Sequence, residues 1–75
     1  MRARIIEVVA KVFGLAPATV ALGISPASVA KWDSERHVQL VVALEEAFDC
    51  MFDPEEVPEL ISLEKIEEIV ARHVR

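Results

Sequence analysis

Residues 32–48, WDSERHVQLVVALEEAF, constrain the fold of this chain more than any other stretch. Apolar side chains recur in it at spacings of three and four, which is the period of a helix with one buried face. We therefore predict a single helix here whose apolar stripe faces the core. The side chains of that stripe are Val38, Val41, Val42, Leu44, Ala47 and Phe48, with Leu40 widening it.

The start of this helix carries a polar signal. Asp33 is a good N-cap residue because its carboxylate can accept a hydrogen bond from the backbone N–H of Glu35 or Arg36. Ser34 then occupies the first helical position. An anion attached to its hydroxyl would lie beside free N–H groups and the positive end of the helix dipole. The position suits a phosphodiester.

Size and charge limit the classes of function. Seventy-five residues, 53% of them apolar, predict one folded domain over 1–75 with a modest core, and no active-site cavity enclosed by protein is expected. A formal charge of −5 argues against nucleic-acid binding and favours basic partners. One cysteine excludes an internal disulfide, and we find no secretory signal and no apolar span of membrane length. We expect a soluble cytoplasmic monomer without membrane insertion.

Two further helices flank the central one. The first is predicted over Arg2–Phe13, with Gly14 following as a C′ residue. The last begins after Ser62, a credible N-cap. Their predicted apolar side chains are Ile5, Ile6, Val8, Val9, Val12 and Phe13 in the first helix, and Leu63, Ile66, Ile69, Val70 and Val74 on the buried face of the last.

The remaining segments contain Pro and Gly. Residues 15–31 keep no helical period, so we predict a long ordered loop. Asp53 followed by Pro54 predicts a short helical turn that Pro58 should end. The fold expected is all-α: a small bundle of three main helices plus one short helix, with a long ordered loop between helices one and two. The loop side chains expected to point inward are Leu15, Val20, Leu22, Ile24 and Val29.

The run DSERHVQLVVALEEAFD resembles the second helix of acyl carrier proteins, whose pattern is Asp-Ser-Leu, three residues, a Leu-Val-rich run, and Leu-Glu-Glu before an aromatic. The resemblance extends to the opening VVAKVFGL and the closing MFDPEEVPELISLEKIEEIV. One departure stands out: Glu35 occupies a position where the family usually has Leu or Met. The resemblance thus covers nearly the whole chain.

This resemblance implies a function. Ser34 matches the serine that receives 4′-phosphopantetheine from coenzyme A, and Asp33 matches a residue that helps the phosphopantetheinyl transferase position its metal and coenzyme A. The expected protein is no enzyme; it carries an acyl group as a thioester in fatty-acid or polyketide synthesis, and its core helices offer the acyl chain an apolar groove. The thiol chemistry comes from the arm.

Acidic side chains concentrate in the middle of the chain. Residues 33–60 hold nine acids against Arg36 alone. We expect this surface to dock onto basic patches of the transferase and of acyl-loading and acyl-using enzymes. The expected contact residues are Glu35, Gln39, Glu45, Glu46, Asp49, Glu55 and Glu56.

Other interpretations stay open. Ser34 after Asp33 also suits a plain helix start. The set Asp33, Ser34 and His37 invites a nucleophile hypothesis, which we disfavour because the chain is too small to supply an oriented base and a dry pocket; His37 is then expected on the surface. The cargo can equally be an aminoacyl or peptidyl group. Glu35 is also compatible with an unmodified, carrier-like interaction module.

Three remaining side chains receive structural predictions. Cys50 lies in an apolar passage and is expected to be buried and inert. Trp32 is expected to pack under the loop, in preference to the alternative that it flanks the prosthetic arm. His73, near the end of the last helix, is expected to interact favourably with the negative end of the helix dipole. No Cys and His cluster has the spacing of a metal site.

Overall fold

The computed structural model describes residues 1–74, which contain four α-helices, one 3-10 helix and no strand. The predicted all-α class is confirmed. None of the helices in this range combines the length and apolar character needed to cross a bilayer. The elements are α1 (Arg2–Phe13), α2 (Pro17–Ala21), α3 (Ser34–Phe48), the 3-10 helix Val57–Glu59, and α4 (Leu63–His73).

Helix α1 lies at the centre of the packing, in contact with α2, α3 and α4. Its fully buried side chains include Ile5, Val9 and Phe13, spaced one turn apart. β-Branched residues lower its intrinsic helix propensity, so this three-sided packing holds it helical. Gly14 ends it with a φ of 65°, a conformation that glycine adopts without steric cost.

Helix α3 begins and ends where the sequence predicts, but its buried face is narrower. Leu40, Val41 and Leu44 are buried, whereas Val38 and Val42 are 60% and 47% exposed, so their predicted burial is wrong. Each residue advances the helix by roughly 100°. Two overlapping sets of apolar side chains on α3 therefore show the same spacing of three and four. Only the packing of α1 against α3 determines which set is buried.

The predicted loop 15–31 contains a helix that periodicity missed. Pro17 stands in the first turn of α2, where its missing N–H has no intrahelical partner to lose. Val20 from this helix is fully buried, and Ile24 and Val29 are buried as predicted. Leu22 is 89% exposed, so its predicted inward position is wrong. A five-residue helix is too short to show a period.

The segment before α4 also departs from the prediction at one residue. Pro58 does not end the helical turn; it stands in the first turn of the 3-10 helix Val57–Glu59. The cap of α4 is as predicted, since the Ser62 hydroxyl accepts a hydrogen bond from the Lys65 backbone N–H at 3.2 Å. Four of the five residues predicted for the buried face of α4 are buried: Leu63, Ile66, Ile69 and Val70. The fifth, Val74, follows the helix end and is 36% exposed, so its predicted burial is wrong.

Candidate functional site: the start of α3

Ser34 is exposed at the first position of α3. Directly before it, Asp33 is the N-cap, and its Oδ1 accepts a hydrogen bond from the Arg36 backbone N–H at 2.8 Å. Within residues 1–74 the Ser34 hydroxyl makes no hydrogen bond. The cap thus engages the Asp33 carboxylate and leaves the adjacent hydroxyl accessible.

The first turn of α3 favours negative charge at this hydroxyl. Within the described chain, the backbone N–H groups of Ser34 and Glu35 have no protein acceptor. They lie at the positive end of a 15-residue helix. Glu35, the next residue, is exposed in the same turn and adds one negative charge there.

A shallow, open and mostly apolar groove adjoins Ser34. Ile61 contributes to it although no sequence signal marked this residue: in the pair Leu60-Ile61 the chain turns Leu60 inward and leaves Ile61 43% exposed. The groove connects the attachment position with an apolar surface at the start of α3. It is lined by Pro26, Trp32, Asp33, Ser34, His37, Val38, Pro58 and Ile61.

His37 lines this groove and bridges two other segments. Its Nδ1 accepts a hydrogen bond from the Trp32 indole N–H at 2.9 Å, and its Nε2 lies 2.6 Å from the Val57 carbonyl oxygen. An indole N–H can only donate, so Nε2 carries the proton and donates to Val57. Both ring nitrogens are engaged away from Ser34. The residue lies beside Ser34 as predicted, but it is half-buried instead of fully exposed, and its ring is not placed to act as a base for the serine.

Trp32 packs in the core as predicted. Its side chain is buried, and its ring centroid lies 4.7 Å from that of Phe13. Arg36 adds a second tie to α1, because its guanidinium donates to the Val12 carbonyl oxygen at 2.7 Å. The start of α3 is therefore fixed to the end of α1, and no sequence pattern indicated the Arg36 contact.

The solvent face of α3 carries a mixed apolar and acidic strip, which we call the exposed stripe: Glu35, Val38, Gln39, Val42 and Glu46. All five side chains are exposed and recur at spacings of three and four from the residue next to Ser34. Three of them were predicted as partner contacts. The two valines were instead expected in the core.

Glu45 and Asp49 have structural roles at the end of α3. The Glu45 carboxylate accepts a hydrogen bond from the Phe52 backbone N–H at 3.0 Å and is half-buried. Asp49 ends the helix with a left-handed φ of 52°, which Asp tolerates better than most residues. Substituting either residue is therefore expected to affect stability as well as surface charge.

Glu56 does not belong to the acidic surface, contrary to the prediction. It is buried, and its Oε1 accepts hydrogen bonds from the Asp53 backbone N–H at 2.8 Å and from His73 at 2.7 Å. Arg72 lies 3.7 Å from its other oxygen. The Asp53 N–H, followed by His73, lowers the pKa of Glu56 below its usual range. Buried polar groups require such partners, so the carboxylate faces α4 instead of solvent.

His73 accordingly has a specific contact as well as its place at the C-terminus of α4. In addition to binding Glu56, its ring packs edge-on against Phe52 at 5.4 Å. Of the remaining predicted contact residues, Glu55 is exposed. The neighbouring Glu59 is exposed as well, with its carboxylate 3.8 Å from the Lys65 ammonium.

Cys50 is half-buried, so its predicted full burial is wrong, but it packs against the core. Burial raises the pKa of its thiol, and the nearby carboxylates of Glu45, Asp49 and Glu56 raise it further. The thiolate is the reactive form of cysteine, so this environment disfavours nucleophilic or redox chemistry. The prediction of an inert thiol agrees with these surroundings.

No family model matches the chain, and no curated protein matches it significantly. The resemblance to acyl carrier proteins therefore rests on the residues of this sequence alone.

Proposed function

We propose that this protein is an acyl carrier, which holds an acyl group as a thioester on a 4′-phosphopantetheine arm attached to Ser34. A phosphopantetheinyl transferase transfers the arm from coenzyme A to the Ser34 hydroxyl. The carrier then presents its cargo to acyl-loading and acyl-using enzymes. It performs no chemistry of its own, because the reactive thiol belongs to the arm.

One observation carries the proposal: an exposed serine hydroxyl stands at the first position of a long helix, directly after an aspartate cap. A phosphodiester at this position gains from the unpaired N–H groups and the helix dipole. His37 does not supply a base for the hydroxyl, since both of its ring nitrogens bind elsewhere. The base is left to the modifying enzyme.

The surroundings of Ser34 support presentation of a cargo. The groove lined by Val38, Pro58 and Ile61 offers apolar contact to the arm or to an acyl chain beside its attachment point. The exposed stripe offers partner enzymes two apolar side chains, Val38 and Val42, between acidic ones. Apolar contact supplies affinity, and charge orients the approaching enzyme.

The test is intact mass after incubation with coenzyme A, Mg²⁺ and a broad-specificity transferase. The wild type should gain the mass of one arm, and Ser34→Ala should gain none. Ser28→Ala is the matched control, because Ser28 is also exposed but lies in the loop before α3. It should be modified like the wild type. A wild type that stays unmodified with several transferases, including that of its own host, contradicts the proposal.

Glu35 favours a second candidate, an unmodified carrier-like interaction module. Its exposed carboxylate stands next to Ser34, where a transferring phosphate would meet an extra negative charge. Under this candidate the mass never changes, and the exposed stripe still binds partners. For the carrier, the cargo is an acyl group or, alternatively, an aminoacyl or peptidyl group. The two kinds of carrier differ in which loading enzymes the native host supplies.

A further inference from the structure

A second apolar cleft lies away from Ser34, between the end of α1, α2 and the loop that follows α2. Its volume is about 430 Å³, within the range of small-molecule pockets. It is also more enclosed than the groove beside Ser34. Phe13, Ile24 and Val29 contribute buried apolar side chains to its lining.

The mouth of this cleft is apolar and open. Leu22 lines it while remaining 89% exposed, and a Cβ added at Gly23 would meet no atom within 4 Å. An aliphatic chain entering there would cover Leu22 and remove apolar surface from water on both sides.

Lys31 is the one charged side chain among the residues that line the cleft. Its ammonium lies near Gly14, 3.8 Å from where a Cβ on that residue would stand, and it forms no salt bridge within residues 1–74. Although the protein has a formal charge of −5, the positive charge of Lys31 at this cleft favours binding of an anion there. The hydroxyl-bearing residues Thr19 and Ser28 also line it.

We propose that this cleft binds a free amphipathic anion, namely an aliphatic carboxylate of medium chain length. Its chain occupies the apolar lining, and its carboxylate meets Lys31. The site does not depend on the prosthetic arm, so it stands even if the proposed carrier function fails.

Octanoate is the probe, titrated into both the wild type and Ser34→Ala. Trp32 is the only tryptophan and its ring contacts Phe13, which lines the cleft, so its fluorescence reports occupancy. Backbone amide shifts locate the ligand. Octanoate should bind saturably to both proteins, and it should shift the amide resonances of α2 and of the following loop to the same extent in each. Absence of saturable octanoate binding to both proteins, or binding to the wild type alone, would overturn the proposal.

Charge and shape are tested separately. Lys31→Glu should weaken octanoate by about tenfold and octanol little, because only the carboxylate loses its ion partner. Lys11→Glu, the matched control on α1, also reverses one exposed lysine and should stay within about twofold of the wild type. Thr19→Phe should fill the cleft and weaken both ligands.

Three results would overturn the proposal. Octylamine would bind as tightly as octanoate, Lys31→Glu would bind octanoate like the wild type, or the amide shifts would lie along the groove beside Ser34. Circular dichroism of each variant shows that loss of binding is not loss of fold.

Discussion

The indole N–H of Trp32 donates to Nδ1 of His37 at 2.9 Å, and this bond ties the loop before α3 to the first turn of that helix. The other ring nitrogen continues the tie to the Val57 carbonyl at the 3-10 helix. Three segments that converge near Ser34 are thus held by one imidazole. The groove beside the attachment position depends on it.

Removal of this imidazole should destabilise the fold. His37→Ala leaves the Trp32 indole N–H without its acceptor, at a cost of about 1–3 kcal/mol for that unsatisfied group. The Val57 carbonyl loses one hydrogen bond but keeps the one from the Leu60 backbone N–H at 3.3 Å. Urea unfolding followed by far-UV circular dichroism measures the loss. Val38→Ala, at an exposed neighbouring position, is the control and should change stability by less than about 0.5 kcal/mol.

A double-mutant cycle separates the hydrogen bond from packing. Trp32→Phe keeps an aromatic ring against Phe13 but removes the donor, so His37→Ala should cost less in that background, with a coupling of about 0.5–3 kcal/mol. Additive losses would show that the two side chains contribute independently.

Glu35 should affect recognition more than stability. A carboxylate at the second helical position stabilises the dipole by about 0.3–1 kcal/mol, so Glu35→Leu should lower stability by no more than that. It should speed modification by a generic transferase, because an apolar residue restores the contact that the family resemblance implies. Glu46→Leu lies farther along the same stripe and controls for added apolarity. Slower or equal modification of Glu35→Leu would exclude a specificity role.

Glu56 should make stability depend on acid pH. Its folded-state pKa is lowered, so its contribution is present above the ordinary glutamate pKa of about 4.3 and is lost as pH falls through the folded value. Urea midpoints measured from neutral to acid pH should therefore fall more steeply for the wild type than for Glu56→Gln. Parallel curves would show that other carboxylates cause the acid loss.

The sequence predicted the ends of the long helices well because their signals are local. Asp33, Ser62 and Gly14 each act on backbone groups within a few residues, and each forms the predicted cap or end. Ser34 was placed by the same local logic. Its exposure follows from that position at the helix start.

The failures concern contacts between distant segments. The exposure of Val38 and Val42 depends on which side of α3 meets α1, and the burial of Glu56 depends on His73, 17 residues away. Likewise Arg36 reaches the Val12 carbonyl across 24 residues. Periodicity assigns a residue to a stripe, but only the packed neighbour determines whether that stripe is covered.

The acidic residues of the exposed stripe should set the rate of partner association. Glu45 is unsuitable for this test because its carboxylate binds the Phe52 N–H. Glu35 and Glu46 are exposed and make no ion pair within residues 1–74. The double variant Glu35→Lys with Glu46→Lys therefore changes the surface charge and leaves the Glu45 hydrogen bond to Phe52 in place. The KM of the transferase for this protein should rise severalfold, and KM is the readout of docking; loss of the Glu35 carboxylate next to Ser34 acts on kcat instead, and helical content stays unchanged.

A matched control separates this stripe from total charge. Glu7→Lys with Glu64→Lys also changes two exposed acids, and Glu64 occupies the second position of α4 as Glu35 does in α3. Each Glu→Lys change adds two charges, so both double variants move from −5 to −1. Raising salt should slow the wild type and the control, since the Debye length is about 8 Å at physiological ionic strength, and should affect the stripe variant less. Equal rates and equal salt responses for the two double variants would mean that net charge, and not this surface, governs the encounter.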